Sequence, residues 1–385
     1  MLRFLSSQGW CCALWYRSLR IYVLSIMGYF FIFPVVGFSQ AMESEWPHTD
    51  FSRHRVDMDE IISGGPAKDG IPAIDSPKFV TWRSAAKWLD DREPVIVVEL
   101  GNAVRAYPLQ ILMFHEIVND RLAGVPISVT FCPLCNASIV FERRIGDVTL
   151  DFGTTGKLRK SDLIMYDRQS ESWWQQFTGA GIVGEYAGAE LVQLASSIVA
   201  FKAVRVNFPK VEVLSRDTGF SRPYGNNPYR GYDDINDSPF LYNGKTDPRL
   251  PPMERVIGVT LNKESKIYPF SAIEAAPVIN DQFQTTPIVV FSTPDMLSVL
   301  DDKIIKNARV IPAAKVYHRN VDGRTLTFRS AANNSIRDDQ TQSTWNIFGQ
   351  AISGELNGKR LTPVDSGVHF AFAWLAFRPH SVIYQ

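Results

Sequence analysis

The chain has 385 residues, of which 45% are hydrophobic and 21% charged, an ordinary globular composition that excludes global disorder and leaves room for more than one core. Forty basic residues balance forty acidic ones, so no whole-chain electrostatic footprint for nucleic acid or anionic lipid is present.

Residues 1–41 read as a signal peptide. Arg3, Arg17 and Arg20 flank an apolar run from Ile21 to Gly37, and Ser39 and Ala41 supply the small residues a signal peptidase needs. An uncleaved membrane anchor is the rival, because the run is just long enough to span, although Pro34 suits a signal better. Cys11 and Cys12 would leave with the signal. The mature chain would then hold only Cys132 and Cys135, in an oxidising periplasmic or secreted setting, or anchored and facing outside.

Residues 42–93 form a polar, extended lead-in with the breakers Gly64-Gly65-Pro66 and Gly70-Ile71-Pro72. A first unit, 94–215, opens with a hairpin: Pro94 to Leu100, a turn at Gly101-Asn102, then Val104 to Tyr107. A short helix is predicted over 108–116, strands over 126–131, 137–143 and 148–152, and a helix over 196–207. Residues 216–252 form a connector rich in Tyr, Gly and Asp, whose aromatics suggest an ordered flap over one unit. A second unit, 253–385, follows.

The second unit repeats the first. Tyr107-Pro108 and Tyr268-Pro269 stand 161 positions apart, as do Ile117-Val118-Asn119-Asp120 and Val278-Ile279-Asn280-Asp281. Later matches, Trp174 with Trp345 and Gly184 with Gly354, show the offset drifting to between 170 and 176 as loop lengths change. The expected fold class is therefore α+β, with two homologous, mostly antiparallel β-rich units from an internal duplication. Matching positions are expected to serve packing, and positions that differ are free for function.

The chemistry-bearing residues occur in one copy only. Cys132 faces Thr293, Cys135 faces Met296 and His115 faces Ala276. Cys132-Pro133-Leu134-Cys135 lies between two strand-like runs, unlike a thioredoxin motif at a strand-to-helix junction, and Asn136 tolerates the positive φ of a metal-binding knuckle. One pair is half of a tetrahedral site, and His115 is the expected third ligand for copper or zinc. Redox-active thiols and a passive disulfide remain alternatives, although so small a loop yields only about 2 kcal/mol of stabilisation. Tyr107, Asp162, Tyr166, Asp167, Arg168 and Trp174 are candidates to line the site, with Asp162 or Asp167 a possible metal oxygen. The chain has no Gly-x-Ser-x-Gly elbow, P-loop, dinucleotide fingerprint or His-Glu-x-x-His helix, so no nucleotide cofactor is expected.

The segment from Gly64 to Asp75, Arg105-Ala106-Tyr107-Pro108, His115-Glu116-Ile117-Val118-Asn119-Asp120, Cys132-Pro133-Leu134-Cys135 and Met165-Tyr166-Asp167-Arg168-Gln169 together resemble an uncharacterised prokaryotic family, domain of unknown function 3179 (DUF3179). The resemblance covers most of residues 55–385. It implies frequent export but no reaction, and Asn136 stands where the family pattern usually has glycine. The expectation from all of this is an exported protein with a Cys132, Cys135 and His115 centre for metal handling or redox work. The rivals are a thiol-disulfide oxidoreductase, with Cys132 attacking, and a glycan- or peptide-binding module built on Trp173, Trp174 and the connector tyrosines. Nucleic acid is not expected as a partner, and membrane contact would run only through an uncleaved N-terminus.

Overall fold

Val95-Ile96-Val97-Val98 is β-branched throughout, which favours extended backbone. In the computed structural model, which describes residues 44–332 and 335–385, this run is the centre of the strand Pro94–Leu100. The chain turns at Gly101, with φ +57°, and returns as Ala103–Pro108. The expected signal or anchor segment lies outside the described residues, and among those described no helix is long and apolar enough to cross a membrane.

The molecule is built mostly of antiparallel sheets, with few and short helices. One five-stranded sheet has the order Ser196–Ala200, Pro94–Leu100, Ala103–Pro108, Glu212–Leu214, Phe79–Thr81, with a single parallel pairing between Ala103–Pro108 and Glu212–Leu214. In the second half Ser366–Phe370, Arg255–Leu261, Glu264–Pro269 and Val382–Ile383 take the same order, and the last pairing is again parallel. A second sheet sets Val125–Cys132 between Ile117–Leu122 and Ala137–Glu142. Its counterpart sets Thr286–Leu297 between Val278–Phe283 and Val310–His318. A third sheet runs Ile61–Ser63, Phe152–Arg159, Asp162–Asp167, Trp173–Gln175, Ala180–Val183, and the second half has a four-stranded sheet of Phe328–Ser330, Ile336–Asp338, Thr344–Trp345 and Ala351–Ser353.

Buried polar groups match across the halves. Tyr107 and Tyr268 each donate to a carboxylate, Asp120 and Asp281, at 2.6 Å, and a cation from the same strand, Arg105 or Lys266, neutralises it. Asn119 and Asn280 clamp the backbone of Phe152 and Phe328 through both ends of their amides. The indoles of Trp174 and Trp345 donate to Asp167 and Asp338 at 2.8 and 3.0 Å. Buried polar atoms are costly unless paired, so each match marks a position held by packing.

Several elements differ from expectation. The predicted helix 196–207 begins as a strand, because Ser196–Ala200 pairs with Pro94–Val98 and only Phe201–Asn207 coils. The predicted helix 108–116 is a single turn, Leu109–Leu112, ended by the approach to Glu116, whose φ is +57°. Of the predicted strand 148–152, only Val148–Thr149 pairs locally, and Phe152 starts the next long strand. The lead-in is not loose. Ile61–Ser63 joins the third sheet, Phe79–Thr81 joins the first, and Trp46, 1% exposed, meets Tyr166 and Trp173 edge-on at 5.0 and 5.2 Å. Residues Glu45–Gln385 form one compact unit, and its largest apolar cluster takes side chains from both halves, as where Phe177 stacks on Phe377 at 4.5 Å.

Candidate metal centre

Cys132 ends the strand Val125–Cys132 and pairs with Ala137, so Pro133-Leu134-Cys135-Asn136 is the turn of a β-hairpin. The amide of Asn136 donates to Pro133 O at 3.2 Å, and Asn136 adopts φ +49°, the left-handed conformation a knuckle needs after its second cysteine. Both sulfurs thereby point to the same side. They meet a second hairpin, in which Phe152–Arg159 turns into Asp162–Asp167 through Lys160 and Ser161, with φ of +54° and +64°. Two successive positive φ values define a type I′ turn, which matches the twist of the flanking strands, although neither residue is one that favours it.

This turn places Ser161 O 3.4 Å from Cys135 Sγ and 3.9 Å from Cys132 Sγ, and delivers Asp162 beside them. One ligand atom from each of Cys132, Cys135 and Asp162 lies within 4.8 Å of the other two, a grouping that can hold a metal ion. Gln175 Nε2 and the Phe177 amide donate to Asp162 Oδ2 at 2.7 and 2.9 Å. Asp162 Oδ1 is left buried with no hydrogen-bond partner.

The electrostatics are lopsided. Burial pushes the Asp162 carboxyl up to about 7, against the opposing pull of its hydrogen bonds. Glu116 beside it is pushed up to about 8, by burial and then by the charge of Asp162. Both thiols are raised, chiefly by burial, with Asp162 adding its charge to each and Glu116 to Cys132. Four acidic groups thus crowd a region where burial penalises every negative charge. A divalent cation reverses that penalty, since it favours thiolate and carboxylate alike.

The structure does not bring His115 into this group. Its Nδ1 lies 2.7 Å from Pro72 O and its Nε2 2.6 Å from Tyr224 Oη, so both ring nitrogens are engaged. Burial lowers its pKa, in keeping with a neutral ring. Of the other residues singled out, Asp162 alone reaches the sulfurs. Tyr107 is tied to Asp120 and Tyr166 to Asp69; Arg168 pairs with Asp75. Asp167 receives Trp174 Nε1 and the Ser170 turn, as Asp338 receives Trp345 and Thr341, which makes it a packing residue. Trp173 and Trp174 are fully buried and offer no platform to a glycan or peptide.

Sequence reasoning passed over Glu116 and Ser161. A signal was present for Glu116, which follows His115 directly and faces Pro277 in the repeat. The carbonyl of Ser161 carries no side-chain signature at all.

The connector closes the centre. Tyr224 meets His115, Tyr232 Oη donates to Leu134 O at 3.1 Å, and Ser161 Oγ donates to Phe240 O at 2.6 Å. The charges on Cys132 and Cys135 help to raise the Tyr232 hydroxyl, which places that ring beside the sulfurs.

A family model described as "Protein of unknown function (DUF3179)" matches residues 68–381, spanning the knuckle, the second hairpin and the connector. The chain belongs to the DUF3179 family. No curated protein and no solved structure matches the chain, so for this DUF3179 member the site chemistry is the guide to function.

Proposed function

We propose that this DUF3179 protein is an exported metalloprotein whose Cys132, Cys135 and Asp162 hold a divalent transition metal, zinc in preference to copper. The observation that carries the reading is the Asp162 oxygen buried without a partner beside two buried thiols and a second buried acid. Two thiolates and a carboxylate form a mixed set that suits zinc, whereas cuprous copper selects sulfur alone and a histidine-rich copper site loses its histidine here. Glu116, buried and coupled by charge to Asp162 and Cys132, is the candidate for a fourth ligand. Metal retention fits better than thiol exchange, because an attacking sulfur must be exposed and activated, and these are at most 2% exposed with raised pKa values.

Export rests on the Arg-flanked apolar run and the small residues Ser39 and Ala41. We further propose that the halves arose by duplication, supported by the repeated sheet orders and paired polar locks, and that the second half has lost the metal ligands.

The test is the metal content of the mature protein from its own compartment, with its N-terminal residue determined. We expect near-stoichiometric zinc, at least tenfold weaker retention in Asp162→Asn and Cys132→Ser, and unchanged stoichiometry in His115→Ala, since each lost charged ligand costs roughly 1.5–3 kcal/mol or more. Folded protein without metal, or metal lost only with His115, refutes the assignment.

A further inference from the structure

A second site lies between the halves, where the second unit departs from the pattern of the first. Thr130 pairs with Ile139 in the first half, and the corresponding pair in the second is Phe291 with Lys315. Ile139 is an ordinary core residue, 4% exposed; Lys315 is buried almost as deeply, at 8%. On the strand Val310–His318, Ala314 and Val316 pack into an apolar cluster, while Lys315 and Tyr317 share the opposite face.

The Lys315 ammonium has no hydrogen-bonding or ion-pairing partner among the described residues. Its Nζ lies 5.5 Å from the Tyr317 ring centre and 5.9 Å from that of Phe348. Tyr317 itself is held in place by donating to Ile347 O at 2.8 Å. Lys315 borders a cavity of about 180 Å³ walled by these two rings and by apolar groups such as Val97 and Leu361. At its edge Arg360 pairs with Glu99 at 2.7 Å, so the lining carries two cations and one anion. A largely buried lysine whose ammonium meets only a cavity is costly, and burial holds this one down to about 8. The unbalanced positive charge calls for an anion and the walls call for an apolar body. An apolar cavity of about 150 Å³ is known to accept a single benzene ring, so the space fits one small ring or branched chain.

We propose that this cavity binds a small organic carboxylate with a compact apolar body, the carboxylate pairing with Lys315 and Arg360 and the body lying against Tyr317 and Phe348. The site is independent of the metal centre and is built by both halves, with its cations, Lys315 and Arg360, supplied by the second.

Benzoate serves as the probe, titrated calorimetrically into the full mature protein, with chloride and acetate at equal concentration as comparisons. We expect saturable benzoate binding, weaker acetate binding and no specific response to chloride. Lys315→Met fills the same volume and should weaken benzoate at least about tenfold, the usual effect of losing one charge-assisted contact. Glu99→Gln, by removing the competing anion, should tighten it, and Arg360→Ala should weaken it, so the two rim variants decide the matter if Lys315→Met does not fold. Absence of saturable binding, equal responses to benzoate and chloride, or rim variants that leave affinity unmoved overturns the assignment.

Discussion

At the scale of single residues, the centre is a problem of proton bookkeeping. Asp162 and Glu116 have folded pKa values raised to about 7 and about 8, far above the ordinary carboxylate range. A raised folded pKa contributes stability below the unfolded value, and that contribution is lost as pH rises through the folded one. The metal-free protein should therefore lose the benefit of these groups between about pH 4 and pH 8, the window set by the unfolded and shifted carboxyl values. Zinc in the proposed site would displace the same protons, so its stabilisation should grow steeply over the upper part of that window. We expect apparent zinc affinity to rise roughly tenfold or more per unit from pH 6 to pH 8, since binding releases several protons. Melting curves with and without zinc check this; an increment that stays flat with pH would sink the idea that these acids face the metal. Much of this site was legible beforehand. Cys132, Cys135 and Asp162 were all singled out, because their absence from the repeat marked them. His115 shared that mark and misled, since a histidine unique to one copy serves equally well as an anchor for a tyrosine 109 residues downstream.

At the scale of elements, two hairpin turns face each other, and the connector ties them down. Tyr232 is the best test of that tie, because its hydroxyl donates to Leu134 O inside the knuckle and accepts from the Phe240 amide. Tyr232→Phe keeps the ring and removes both bonds, at about 0.5–1.5 kcal/mol each. Zinc transfer to a chelator should accelerate several-fold while stoichiometry stays the same; an unchanged rate would mean that the connector does not limit escape. Strands in the first unit were readable because β-branched runs and turn residues punctuate them. Ser196–Ala200 was misread because its neighbour Phe201–Asn207 does coil, and the strand partner Pro94–Val98 is remote in sequence. Periodicity over a short apolar run does not separate the two states. The type I′ turn at Lys160-Ser161 carried no Asn or Gly to announce it.

At the scale of the whole molecule, the two halves share a core, and a buried ionic knot fastens the connector to the second of them. Asp233, in the connector and fully buried, accepts from Arg255 at 2.5 Å, from Ser298 at 2.5 Å and from Arg309 at 2.7 Å. Burial opposes its charge, but the two guanidiniums and the Ser298 hydroxyl outweigh that and keep its pKa low. Removing one member of such a group leaves a buried charge uncompensated, at about 3–5 kcal/mol. Asp233→Ala should lower stability by that order in chemical denaturation, and it should do so as one transition reported equally by probes in both halves. Separate transitions would show that the halves melt independently. The matching segments were visible in the chain, but the single core was not, because such a pattern is compatible with two independent bodies as well as one.

The closed centre also bears on when the proposed metal would arrive. Both sulfurs and the carboxylate are buried beneath the connector, and that connector is pinned at Tyr224, Asp233 and Phe240. An ion reaches such ligands only when these fastenings open. We therefore expect metallation to be an event of biogenesis, decided by whichever ion is abundant where the chain first folds. Refolding the chain in competing zinc and copper, then exposing the finished protein to the excluded ion, would show whether that first choice is permanent.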